Sequence, residues 1–102
     1  MLYVNLTPHP VNVYGEMVAP VYSLKPCANP ARVVYKEINL GKLTKRKIVI
    51  GAENLPPPKA GTIYVVSNPC RVSFPARTDL ASPCTSVEKD GKVVGCKWLV
   101  LN

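Results

Sequence analysis

The amino-acid sequence predicts a mainly β fold: a single compact small barrel or sandwich with at most one or two short helical turns. Three observations predict it. Eleven prolines are spread along 102 residues and interrupt the chain too often for long helices. Val and Tyr recur in short runs between them, which is strand composition. An apolar fraction of 47% is enough for a packed core, and the length fits one domain, residues 1–102.

The strands can be placed in order. LYVNL at 2–6 has strand composition, and VNVY at 11–14 continues it after a TPHP corner, with Gly15 ending the run. His9, the single histidine, sits in that corner between Pro8 and Pro10. Proline fixes its own φ and restricts the residue before it, so Thr7 and His9 have little conformational freedom. Residues 16–30, EMVAPVYSLKPCANP, hold three prolines and no period, and read as an extended loop or an edge segment. ARVVYKEI at 31–38 and KIVIG at 47–51 are two further strands joined by the polar stretch NLGKLTKR. LPPPKAG at 55–61 is a stiff connection without backbone donors at its prolines.

It delivers the chain into TIYVVS, residues 62–67, the strongest strand, whose continuous β-branched and aromatic character predicts burial on both faces. Asn68 followed by Pro69 reads as an N-cap with proline at the first helical position, giving a turn or two up to Phe74 before Pro75 stops them. The segment after it reads as loop as far as Cys84. Asp90-Gly91 is the favoured pair for a two-residue type I′ turn and predicts a terminal hairpin, with Val94, Cys96, Trp98 and Val100 on one face of its second strand.

The N-terminus lacks a secretory pattern, because Asn5 and Pro8 interrupt its apolar stretch, and no apolar run approaches the ~18 residues of a transmembrane helix. The expectation is a protein of the cytoplasm that does not enter a membrane, and its small size leaves self-association open. Cys27, Cys70, Cys84 and Cys96 have no paired-ligand spacing, so no metal site is expected. They read as buried thiols, or as one or two disulfides contributing about 2–4 kcal/mol each; disulfides inside a cell, like abundant proline, fit a thermophilic source.

NLTPHPV at 5–11, ARV at 31–33, LPPP and GTIYVVS within 55–67, RTDL at 77–80 and DGKVVGCKWL at 90–99 together resemble a group of small uncharacterised proteins of bacteria and their viruses. The resemblance implies an accessory protein of viral or mobile-element origin, with the host cytoplasm as its compartment. It implies no activity.

For catalysis the familiar motifs GxSxG, HExxH and GxxxxGK[ST] are absent, and there are only six carboxylates. A small hydrolase would have to assemble His9 and Asp79 with a cysteine or serine, since triads are defined by geometry rather than order. Binding is the stronger expectation, with no cofactor implied. Arg71, Arg77 and Asp79 follow the central strand, where guanidinium forks suit an anion, and Asn5, Thr7 and His9 would line the same site. The ligand this suggests is a small anionic molecule such as a nucleotide; the alternative is that these arginines only pair with Asp79 and Glu37. The formal net charge of +7 and the acid-free cluster Lys42, Lys45, Arg46 and Lys47 suggest nucleic acid as the alternative partner, or a solubilising loop.

Overall fold

A computed structural model describes residues 1–102. Its strands are β1 (Leu2–Asn5), β2 (Val11–Val13), β3 (Tyr22–Leu24), β4 (Arg32–Asn39), β5 (Lys45–Glu53), β6 (Thr62–Val65), β7 (Leu80–Lys89) and β8 (Lys92–Leu101), with one helix, α1 (Asn68–Ser73), between β6 and β7. Six strands form one sheet in the order β1-β6-β7-β8-β2-β3. The sheet curls into a nearly closed barrel. Its two outer strands meet through the Tyr3 and Tyr22 rings, whose centroids lie 5.4 Å apart, and through the Asn5 side-chain amide, which donates to the Lys25 carbonyl at 2.9 Å.

β6 is central, parallel to both β1 and β7, and all four of its residues are buried. The expected burial on both faces is therefore present, and it explains the continuous apolar run. Tyr64, with Val66 just beyond the strand, packs with Leu6, Ala31, Cys70 and Leu80 under α1. Val65, one residue between them, points the other way onto Val11, Val13 and Cys96. β7 and β8 form the predicted terminal hairpin, and Asp90 and Gly91 have φ of 55° and 77°, as a type I′ turn requires.

The structure corrects the sequence reading in two places and decides two alternatives that it left open. Of the loop and the edge segment that residues 16–30 allow, the structure forms the edge: Tyr22–Leu24 is β3, an outer strand antiparallel to β2, an element without alternation that exists because β2 offers it an edge. Leu80–Cys84 is strand rather than loop; Pro83 is tolerated there because β6 pairs with β7 only as far as Ala81. The helix cap is Ser67, not Asn68: the Ser67 hydroxyl accepts from the Cys70 amide at 3.3 Å, which leaves Asn68 inside the helix. All four cysteines are free thiols. Cys70 and Cys96 are the buried pair among them, and burial pushes both thiols above their ordinary pKa. Of the face expected on β8, Cys96 enters the core, Val94 is half-buried and Trp98 and Val100 remain exposed.

β4 and β5 stand apart. They pair only with each other, as a two-stranded antiparallel ribbon outside the barrel sheet. No residue from Arg32 to Glu53 is buried, and the ribbon is rooted where half-buried Val33 packs beside α1. The radius of gyration of 15.6 Å exceeds the ~13 Å of a compact chain of ~100 residues, and the longest dimension is 50 Å. No helix is long and apolar enough to cross a membrane.

Candidate functional site

The TPHP corner is held from its backbone, not by its imidazole. Asn5 is buried; its Nδ2 donates to the His9 carbonyl at 2.8 Å and to the Lys25 carbonyl at 2.9 Å. Its Oδ1 accepts from the Thr7 amide at 2.9 Å and the Thr7 hydroxyl at 2.7 Å. Thr7 also returns its carbonyl to the Cys27 amide. These residues thus tie the end of β1 to the chain beyond β3, and the exposed His9 side chain takes no part.

Arg77 and Asp79 form a closed unit. Arg77 Nε and Nη2 each donate to one carboxylate oxygen of Asp79 at 2.8 Å, and Nη2 also donates to the Pro56 carbonyl at 2.9 Å. Both side chains are mostly buried. The hydrogen bonds from Arg77 hold the Asp79 carboxyl below its ordinary range, and the same bonds raise Arg77. The Asp79 carbonyl meanwhile accepts from the Tyr64 amide. This pair anchors the proline-rich connection to the start of β7.

Arg71, on α1, differs. Its Nε donates to Ser82 Oγ at 2.8 Å, Nη2 to Asn68 Oδ1 at 2.8 Å and Nη1 to Asn102 Oδ1 at 3.1 Å, so every partner is neutral. Asn102 in turn donates to the carbonyls of Arg71, Phe74 and Arg77.

His9 borders a groove of about 380 Å³ whose other walls are Pro10 to Asn12, Pro83 to Ser86 and Val93 to Cys96. Asp79 is absent from these walls, and both its oxygens are taken by Arg77, so the groove holds an exposed thiol, Cys84, and an imidazole without an orienting carboxylate. Thr85, beside Cys84, has φ of 61°, strained for a β-branched residue. Sequence reasoning missed this groove because its residues come from three strands and carry no local pattern. No cluster of three or more metal-ligating side chains is present.

The basic segment lies at the far end of the ribbon. Lys42 is in the tip that joins β4 to β5, closed by the Leu40 amide donating to the Thr44 carbonyl at 2.9 Å, and Lys45, Arg46 and Lys47 open β5. Arg32 and Lys36 add two cations from β4, whereas Glu37 and Glu53 are the ribbon's only acids. Four of the seven net positive charges therefore project from the barrel on 22 residues. Leu43, at the tip, is 97% exposed. The residues that present this surface were legible as a charge cluster; its projection on a free-standing ribbon was not. Compared with protein-family models, curated proteins and solved structures, the chain matches none.

Proposed function

We propose that this protein is a non-catalytic accessory protein that binds nucleic acid through the β4–β5 ribbon. The observation that carries the reading is the ribbon itself: a two-stranded element with no buried residue, separate from the barrel sheet, that bears most of the chain's excess positive charge. A ribbon that adds so little to the core is explained by what it reaches, and a local excess of cations attracts a polyanion by releasing its counterions. The resemblance of the NLTPH opening and the closing hairpin to proteins of bacteria and their viruses supports the accessory role.

Binding to a labelled DNA fragment, followed across a salt series, tests this. The expected log–log slope is about −3, as roughly three phosphate contacts give. Replacing Lys36, Lys42, Lys45, Arg46 and Lys47 with Ser should abolish binding while the melting temperature holds. A wild-type protein that ignores DNA at low salt overturns the proposal.

A second reading keeps a small anionic molecule, such as a nucleotide, at Arg71, whose guanidinium has only neutral partners. Its sign would be a melting temperature that rises with nucleotide concentration and stops responding in Arg71→Gln.

A further inference from the structure

The two faces of the ribbon differ chemically, and we infer that one alone docks: the face bearing Lys36, Ile38, Arg46 and Ile48 enters the major groove of duplex DNA. This rests on the nucleic-acid reading and adds the orientation of the ribbon and the form of its ligand.

Cross-strand partners share a face of a ribbon, and successive residues alternate. One face sets Tyr35, Glu37 and Asn39 opposite Val49, Lys47 and Lys45. Its cations already have partners. Lys45 Nζ lies 3.6 Å from Glu37 Oε2, and Lys47 Nζ sits 5.6 Å from the centroid of the Tyr35 ring. The other face sets Lys36 opposite Ile48 and Ile38 opposite Arg46. Neither Lys36 nor Arg46 is in an ion pair, and this stretch of the face holds no carboxylate.

The two cations thus stand on opposite strands, each beside an isoleucine, so an occupant must offer negative charge on both flanks and apolar surface alongside it. A second copy of the ribbon would set cation against cation. A DNA duplex meets both needs: phosphates flank the groove, and base edges with thymine methyl groups form its floor. Two strands ~4.8 Å apart, with their side chains, fit a major groove ~12 Å wide, and the nine residues of β5 span roughly 30 Å, close to one ~34 Å turn. The A-form major groove of duplex RNA is too narrow and deep to admit the ribbon, and a single strand has no groove.

Two charge-matched variants separate the faces. Lys36→Ser with Arg46→Ser should weaken binding to a B-form duplex roughly 50-fold at ~0.1 M salt and reduce the salt slope by about 1.8, the share of two phosphates. Lys45→Ser with Lys47→Ser should stay within about 3-fold of wild type. Should either variant unfold, the same pairs are read as Gln substitutions. Equal losses from the two faces, duplex RNA or single-stranded DNA bound as tightly as the duplex, or a preference for anionic-lipid vesicles would each overturn the inference. Equal losses alone leave the nucleic-acid reading standing, whereas a wild type that binds no DNA at low salt removes both.

Discussion

Gly95→Ala should be among the most damaging single changes in the barrel. A Cβ built on Gly95 would lie 2.8 Å from Tyr14 Cε1 and 3.0 Å from Asn12 Cβ, with the Asn12 carbonyl oxygen closer still. The nearest of these is backbone, so relief requires β2 to move away from β8. That junction is narrow: Val13 faces Cys96, the amides of Tyr14 and Gly15 donate to the carbonyls of Cys96 and Lys97 at 2.9 and 2.8 Å, and the Asn12 side chain donates to the Val94 carbonyl at 3.2 Å. Overpacking costs about 1–3 kcal/mol, and weakening two such hydrogen bonds adds about 1 kcal/mol each. The sum, about 3–5 kcal/mol, is a large part of the ~5–15 kcal/mol that holds a domain together. At ~4–8 °C per kcal/mol for a chain of this size, the melting temperature should fall by more than about 12 °C. Urea denaturation followed by Trp98 fluorescence measures it directly. A loss below about 0.5 kcal/mol would refute the close approach of β2 to β8.

Two further predictions address the corner and the buried ion pair. Asn5→Ala should cost about 2–4 kcal/mol, because it strands the Lys25 carbonyl and the Thr7 amide and leaves the His9 carbonyl with the Thr7 hydroxyl alone, whereas His9→Asn should leave the denaturation midpoint nearly unchanged. Equal effects from both changes would contradict the backbone-held corner. Asp79→Asn should destabilise by about 2–3 kcal/mol at neutral pH by breaking a mostly buried pair. Since Arg77 lowers the folded-state pKa of Asp79, the pair's stabilisation is complete above the unfolded value near 4 and disappears as pH falls through the folded value. Wild-type stability should therefore decline more steeply than that of Asp79→Asn below about pH 4, and parallel pH curves would contradict the assignment.

What the sequence made legible follows from how local each signal is. Asp90-Gly91 states its turn within two residues, and TIYVVS states its burial in the strand itself. The segment YSL could not be read as a strand, because its pairing depends on β2. Leu80–Cys84 was obscured by Pro83, which reads as a breaker until the end of β6 pairing is known. ARVVYKEI and KIVIG were legible as strands, but their standing outside the barrel sheet, with Ile38, Ile48 and Ile50 exposed, was not. The anion-site residues were chosen by chemical type. Arg77 and Asp79 come together as an anchor and Asn5 with Thr7 as a corner, and these are separate networks, since long-range partners decide what a polar side chain has left to offer.

The parallel junction of β2 with β8 also sets an order of assembly. Asn12 and Val94, joined there, are 82 residues apart in the chain. β1 likewise waits for β6, whose partner β7 is later still. Contacts between such distant residues are the slow ones to form, because the loop between them must close first. During synthesis, both strands of the β4–β5 ribbon are present once Glu53 has been added, whereas β2 has no β8 to join until the residues from Lys92 onward follow. β2 can pair early with β3 alone, and the barrel closes only when β8 arrives.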